Sequence, residues 1–274
     1  MTPARISVVT PSFNQARFLE RTLRSVLDQA YPNLQYIIVD GGSTDGSADI
    51  IRKYERHLSF WVSEPDAGQT DALVKGFTHA DGEILCWLNS DDLFEPHTLR
   101  EVADFFQRSK GARAVYGDAI WVDVDDNPIH AKREHPFNRF IWLNDYNFIP
   151  QPSTFWRRDL YEQVGGLDRR FNLAMDADLW IRFADVTLIH HVPRVWSRMR
   201  FYPEQKNQRL RGESNREDQL IRNRYVPLRS PWMALPRWVA AKGLRVGWKL
   251  MLGCYGGGRG SLIAKDNRHP LASR

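Results

Sequence analysis

Asn89-Ser90-Asp91-Asp92 follows directly on the apolar run Ile84-Leu85-Cys86-Trp87-Leu88. Two adjacent carboxylates at the end of a buried strand lose hydration and repel each other, so they are costly without a partner. A divalent cation removes that cost. Hard oxygen ligands favour Mg2+ or Mn2+, and a metal at the carboxyl end of a strand can grip a phosphate-bearing ligand. The plainer alternative is a strand end whose Asp91 or Asp92 caps the next helix.

Further acidic residues stand in comparable places. Asp40 closes the run Leu34 to Val39 and opens the loop Asp40-Gly41-Gly42-Ser43-Thr44-Asp45-Gly46. Far downstream, Asp176 and Asp178 open a segment to Ala184 in which Leu179, Trp180 and Phe183 have helical spacing. A helix N-terminus favours acidic residues through its dipole, which gives this second pair a purely structural reading as well.

The elements that must position these groups alternate. Ile6 to Thr10 reads as a strand ended by Pro11, and Gln15 to Gln29 as a helix with Phe18, Leu19, Leu23, Val26 and Leu27 on one face. Leu34 to Val39 is a second strand, Ser47 to Tyr54 a helix, Phe60 to Val62 a short strand, Thr70 to His79 a helix, and Glu83 to Leu88 a strand. This order predicts an α/β fold with a mostly parallel, Rossmann-like sheet and helices on both faces. Ligands of such sheets bind beyond the carboxyl ends of the strands, where Asp40, Asp91 and Asp92 fall. Later, Ala114 to Tyr116, Ser153 to Trp156 and Val186 to Val192 read as strands, Asp123 to Asn127 as an acidic turn, and Asp159 to Val164 as a short helix.

With 274 residues, 42% apolar and 12% aromatic, the chain can build a sizeable core. Its two cysteines, Cys86 and Cys254, argue against a disulfide framework and suit a reducing compartment. No signal peptide or spanning segment is expected, so the location read from sequence is cytoplasmic. Charge is uneven. Residues 205–274 hold 15 basic and 4 acidic residues, net +11, in a chain of net +5, which leaves 1–204 at −6. An acidic body with a basic end suggests an anionic partner, such as membrane headgroups, nucleic acid or a phosphorylated carrier. Arg237 to Leu252 reads as a helix with Lys242, Arg245 and Lys249 in a narrow basic stripe and Val239, Leu244, Val246, Trp248, Leu250 and Met251 around it. That suits a helix lying in a membrane interface, peripheral on the inner face of the cytoplasmic membrane; the alternatives are a helix packed on the body with its stripe solvated, or a homodimer contact.

Three segments in order, Val8-Val9-Thr10-Pro11-Ser12-Phe13-Asn14, Ile38-Val39-Asp40-Gly41-Gly42-Ser43-Thr44-Asp45-Gly46 and Trp87-Leu88-Asn89-Ser90-Asp91-Asp92, resemble family 2 glycosyltransferases, over roughly residues 5–205. The resemblance extends to those of bacterial polysaccharide and cell-envelope glycan synthesis. It implies a GT-A fold over 1–227, with a nucleotide-sugar-binding half (about 1–110), an acceptor-binding half (about 111–227) and a basic amphipathic tail at 228–274. It implies an inverting, metal-dependent transfer from a nucleotide-diphosphate sugar, UDP favoured, to a glycan or lipid-linked acceptor. On the matching positions, Thr10 and Pro11 would border base and ribose, and Asp40 would accept from a uracil ring. Gly68, Gln69 and Asp71, in Asp66-Ala67-Gly68-Gln69-Thr70-Asp71-Ala72, would border diphosphate and sugar. Ser90 and Asp91 would complete a DxD-type motif whose Asp92 is the main ligand of Mg2+ or Mn2+, and Asp176 would be the general base.

Departures from the family's pattern are Val74 for an Asn, Met175 for the acidic residue before the base, and Tyr202 for a His. The last makes His190 and His191 candidates for the metal site. Gln151 and Trp180 are candidate acceptor contacts, and Trp142, Trp156 and Trp180 candidate stacking surfaces; core packing is the alternative for the tryptophans. A catalytically degenerate nucleotide- or partner-binding protein is the alternative function. A nucleotidyltransferase would need a glycine-rich cradle that Pro11-Ser12-Phe13-Asn14-Gln15 lacks, and no nucleic-acid reading motif is present.

Overall fold

The computed structural model describes residues 3–225 and 231–255. In the first half, β1 (Ile6–Ser12), α1 (Ala16–Leu27), β2 (Leu34–Asp40), α2 (Ser47–Lys53), β3 (Phe60–Ser63), α3 (Gln69–Thr78) and β4 (Ile84–Trp87) follow the expected alternation. β1 pairs in parallel with β2 and β4, and β2 with β3. The strands are apolar almost throughout because helices cover both faces. Register places Ser12 beside Asp40 and Asp40 beside Ser63, so one edge collects the polar strand ends.

The second half comprises β5 (Leu93–Phe94), α4 (Thr98–Arg108), β6 (Ala114–Val122), β7 (Pro128–Lys132), α5 (Arg139–Asn144), β8 (Thr154–Arg157), α6 (Arg158–Gln163), α7 (Met175–Val186), β9 (Ile189–Arg200), α8 (Lys206–Arg209), α9 (Arg211–Tyr225) and α10 (Pro231–Met251). The sheet runs β3-β2-β1-β4-β8-β6-β9-β5, with β7 added to β6. β8 enters antiparallel between β4 and β6, and β6 and β9 are parallel. β9 continues eight residues past the expected end at Val192. Its far end pairs antiparallel with the two-residue β5, Leu93 against Arg198, which returns the chain to Asp91 and Asp92.

The core is aromatic where the halves meet. Trp87 stacks on Trp180 with centroids 5.6 Å apart, and both meet Trp156 edge-on. Trp142 and Trp180 are fully buried. The three tryptophans considered for sugar stacking are therefore core residues, as burial of so large a ring favours. The same holds for Trp180 as an acceptor contact: its ring faces Trp87, not a ligand.

α10 corrects the expected basic stripe. Two of its three members turn inward. Arg245 pairs with Asp145 at 2.5 Å, and Lys249 with the buried Glu134 at 2.8 Å; Lys132 holds the same Glu134 at 2.8 Å. Paired, partly desolvated charges make this a docking clasp. The apolar residues are what the helix leaves outside, with Trp232 85% and Leu235 67% exposed. No described helix is long and apolar enough to cross a membrane.

Candidate active site

The acidic pair sits on a turn held from three sides. Thr22 of α1 donates its hydroxyl to the carbonyls of Ser90 and Asp92, at 2.9 and 2.8 Å. Asn89 reaches Asp92 Oδ2 at 3.3 Å and Gln151 Oε1 at 3.0 Å. From the end of β9, the Arg200 backbone N–H donates to Asp92 Oδ1 at 3.1 Å and the Tyr202 hydroxyl to Asp91 Oδ2 at 2.9 Å. Tyr202 thus stands beside the motif as a hydrogen-bond donor, where a His would have offered a ligand nitrogen.

Both carboxyls are buried and both are pushed above the usual carboxylate range. For Asp91 the cause is burial, opposed by the Tyr202 hydroxyl; for Asp92 it is burial and then the charge of Asp91, with a larger rise. Arg200 does not cancel this. Fully buried, it donates to the Asp91 carbonyl and pairs with Asp126 at 2.5 Å. The donors present are all oxygen, which fits Mg2+ or Mn2+. Among the described residues no cluster of three or more His, Cys, Asp or Glu side chains could enclose a metal. A cation here would take one or two carboxylates and complete its shell from diphosphate and water, which is how Mg2+ is commonly bound.

His191 does not join them. Its Nε2 lies 2.9 Å from Asp118 Oδ1, in register with Tyr116 near the start of β9. Arg200 is nine residues further along that strand, which bulges so that those nine run against the six from Tyr116 to Val122 of β6, roughly 20 Å at an extended rise. The structure thus places His191 with Asp118, apart from Asp91 and Asp92.

The nucleotide-side candidates gather at the edge of β1, β2 and β3. Asp40 is fully buried and accepts from Ser43 N (2.9 Å), Ser43 Oγ (2.6 Å) and Ser63 Oγ (2.7 Å). An ionised carboxylate offers about four acceptor positions, so one remains. Asp45 fixes the same loop by accepting from Ala16 N and Ser47, which lowers its pKa. Thr10 turns its hydroxyl inward to Tyr36 Oη at 3.1 Å, so its side chain is not offered to a base or ribose; Pro11 beside it is buried. Ser12 Oγ, also buried, makes no hydrogen bond among the described residues.

The 66–72 segment contributes selectively. Gly68 precedes α3 at φ +113, and a Cβ there would collide with the Asn172 amide. Gln69 joins the acidic motif to Lys206, donating to Asn89 Oδ1 at 2.8 Å and receiving Lys206 Nζ at 3.3 Å. Asp71 points to Arg169 at 2.9 Å, which lowers its pKa. Gln151, an acceptor candidate, instead braces the motif, donating to the Trp87 carbonyl at 2.8 Å and accepting from Asn89.

Asp176 and Asp178 have opposite environments. Asp178 is buried in ion pairs with Arg182 (2.6 Å) and Arg224 (3.2 Å) and serves the fold. Asp176 has no ion pair among the described residues. It accepts from Asn147 Nδ2 at 3.0 Å and opens onto a cavity of about 280 Å3 lined by Tyr146, Asn147, Asn207, Ser214, Asn215 and Asp218, among others. Burial, with a smaller contribution from Asp218, pushes its carboxyl up to about 6. A larger hollow of about 550 Å3, lined by Ala4, Tyr31 and Arg100, lies at the amino ends of the strands and holds none of these residues.

Sequence reading missed Lys206 and Glu217. Lys206 Nζ donates to the Asn172 carbonyl at 2.7 Å and reaches neutral amide oxygens of Asn172 and Gln69; no carboxylate pairs with it among the described residues. Burial lowers its pKa. Glu217 of α9 accepts the backbone N–H groups of Asn172, Leu173 and Ala174 at 2.8–3.1 Å, capping α7 just before Asp176. Both lie in α8 and α9, polar helices after β9 that no apolar periodicity marks in the sequence.

Residues 7–165 match Glycosyl transferase family 2. An uncharacterized glycosyltransferase of Mycobacterium tuberculosis is 30% identical over 185 residues, covering 65% of this chain and 68% of the relative. The putative teichuronic acid biosynthesis glycosyltransferase TuaG of Bacillus subtilis is 33% identical over 127 residues, 45% of this chain and 50% of the relative. Among solved structures, S. aureus TarS 1–349 in complex with UDP shares the fold, with a TM-score of 0.62 at 18% identity; the match covers 80% of this chain and 64% of that one. The mannosyltransferase PcManGT of Pyrobaculum calidifontis, in complex with GDP-Man and Mn2+, gives 0.57 at 20% identity, over 94% of this chain and 77% of that one.

Proposed function

The chain belongs to glycosyl transferase family 2, and from that premise we propose that it transfers one sugar from a nucleotide-diphosphate sugar to a hydroxyl of a glycan or lipid-linked acceptor, with inversion. The observation that carries this is the division of acidic groups into two sites. One is a buried adjacent pair, Asp91 and Asp92, beside Tyr202 and Arg200. The other is Asp176, without an ion pair among the described residues, at a polar cavity. A single displacement needs both, because the leaving diphosphate gains charge on one face of the sugar while the attacking hydroxyl sheds a proton on the other.

In this reading, residues of about 1–110 hold the donor. Asp40 offers its remaining acceptor position to a base N–H, which favours uracil, and the Ser12 hydroxyl, without a partner among the described residues, lies next to it in register. Asp92, with Asp91, would hold Mg2+ or Mn2+, whose charge would stabilise the diphosphate as it departs. Lys206, a cation with only neutral hydrogen-bond partners among the described residues, stands next to Gln69 and meets the same diphosphate. On the acceptor side, Asp176 takes the hydroxyl proton as the oxygen bonds to the anomeric carbon and the bond to the diphosphate breaks. Asn147 fixes the carboxylate's orientation. A carboxyl titrating near 6 is mostly ionised at pH 7 and basic enough to share that proton. The basic excess of 205–274 supports work at an anionic membrane surface on the cytoplasmic side.

A thermal-shift panel of UDP and GDP, each with and without Mn2+, tests the donor half. A ligand bound only by the folded state raises its melting temperature by mass action. We expect a Mn2+-dependent rise with UDP that Asp92→Ala abolishes. Absence of a shift with either nucleotide would favour the degenerate, partner-binding alternative.

A further inference from the structure

α10 is amphipathic in an unusual sense: two of its four cations, Arg245 and Lys249, face the protein, while a stripe of apolar residues faces outward. Arg245 and Lys249 are engaged by Asp145 and Glu134, and Ala241 is fully buried between them and the body. On the other side Trp232, Leu235, Val239 and Leu250 are 85%, 67%, 55% and 64% exposed, spaced so that they share one stripe. None of the described residues covers that stripe.

We infer that this outer stripe is the surface by which the protein lies on a lipid bilayer. The charge pattern selects that occupant. Residues 231–251 contain Arg237, Lys242, Arg245 and Lys249 and no Asp or Glu. Lys242 stacks over Trp238 at 4.5 Å, at the margin of the stripe. Tryptophans with flanking cations suit the boundary between acyl chains and anionic headgroups. Arg245 and Lys249 already have their acids on the inner face, and a second copy packed on the stripe would bring the exposed Lys242 of each helix to a surface with no acid on the helix to offset it. At 21 residues α10 is about 30 Å long, so it presents a line of contact, not a point.

Its position gives the contact a purpose. Asp145 holds Arg245; the neighbouring Tyr146 lies under the Arg245 guanidinium at 5.0 Å and lines the cavity; Asn147 holds Asp176. Three successive residues thus join the bilayer-facing helix to the carboxylate proposed to activate the acceptor. A bilayer at α10 puts that cavity near headgroup level, which selects a lipid-linked acceptor over a free glycan. This last step rests on the proposed transfer reaction; the bilayer contact does not.

The experiment is flotation of the full chain with phosphatidylcholine vesicles, with and without phosphatidylglycerol, beside UDP binding and size-exclusion chromatography on the same samples. We expect flotation with the anionic vesicles, reduced at least about tenfold in Leu235→Glu/Val239→Glu, with UDP binding unchanged. A wild-type chain that stays in the soluble fraction overturns the inference. So does a wild-type dimer that the double variant converts to monomer without change in flotation. Flotation that survives the double variant but is lost on removing residues 256–274 assigns it to the basic end and overturns the role of α10. Failure of UDP binding alone would count against the transfer reaction and leave the bilayer contact standing.

Discussion

Asn147 donates its side-chain amide to Asp176 Oδ2 at 3.0 Å, and this is the single side-chain hydrogen bond that holds the carboxylate among the described residues. The bond favours the ionised form, against the burial that raises the group to about 6. It also fixes which lone pairs remain for a hydroxyl in the cavity.

The pH dependence follows from that balance. As a base, Asp176 must be ionised, so activity rises with pH through about 6 and levels above it. Asp176→Asn should lower kcat about 10²–10⁴-fold. Asn147→Leu should move the acidic limb to higher pH, read from the pH profile of kcat/KM, with the Ala177 backbone N–H left to favour the ionised form. Stability runs the other way. The folded state disfavours the ionised carboxylate, a cost fully present above about 6 and absent below the ordinary value of 3.8. Asp176→Asn should therefore raise Tm at pH 7–8 and leave it unchanged near pH 3.8.

Asp92 obeys the same sign for a different ligand. Burial and Asp91 raise its carboxyl. In metal-free protein at neutral pH, Asp92→Asn should raise Tm, while the Mn2+-dependent gain with UDP disappears. Melting curves in EDTA and in Mn2+ with UDP separate the two effects.

Lys206 should discriminate between nucleotides by their phosphates. A charge-assisted bond of about 1.5–3 kcal/mol to a diphosphate predicts that Lys206→Met weakens UDP by about tenfold or more. UMP, lacking the second phosphate, should be affected by less than about twofold on the same scale. Titration calorimetry of both nucleotides against both proteins checks this; equal losses would place Lys206 in a purely structural role.

Glu217 acts at a distance from the chemistry. Glu217→Ala leaves three N–H groups at the start of α7 without their acceptor and should cost about 1–3 kcal/mol in urea unfolding. Because α7 carries Asp176, kcat should fall more than donor affinity. Glu217→Gln, which keeps an acceptor oxygen, should recover most of the loss.

The alternating elements of the first half, and the placement of Asp40, Asp91 and Asp92 at one sheet edge, were legible from residue order alone. Parallel strands buried on both faces are continuously apolar, and their polar ends then mark the ligand edge. That pattern is local, so the chain announces it. What surrounds the carboxylates is not local. Tyr202 reaches Asp91, Lys206 reaches Gln69 and Glu217 caps α7 across separations of 111, 137 and about 45 residues, through segments with no periodicity. Tertiary structure also decided between equal-looking residues: Asp178 is neutralised by two arginines while Asp176 is not, and Trp180 packs on Trp87 while Trp232 is left outside. The direction of α10 is the clearest case. A helical wheel shows a basic stripe and an apolar one, but which faces inward depends on the buried acids Asp145 and Glu134, a hundred residues or more away, and on the free energy of pairing charges out of water.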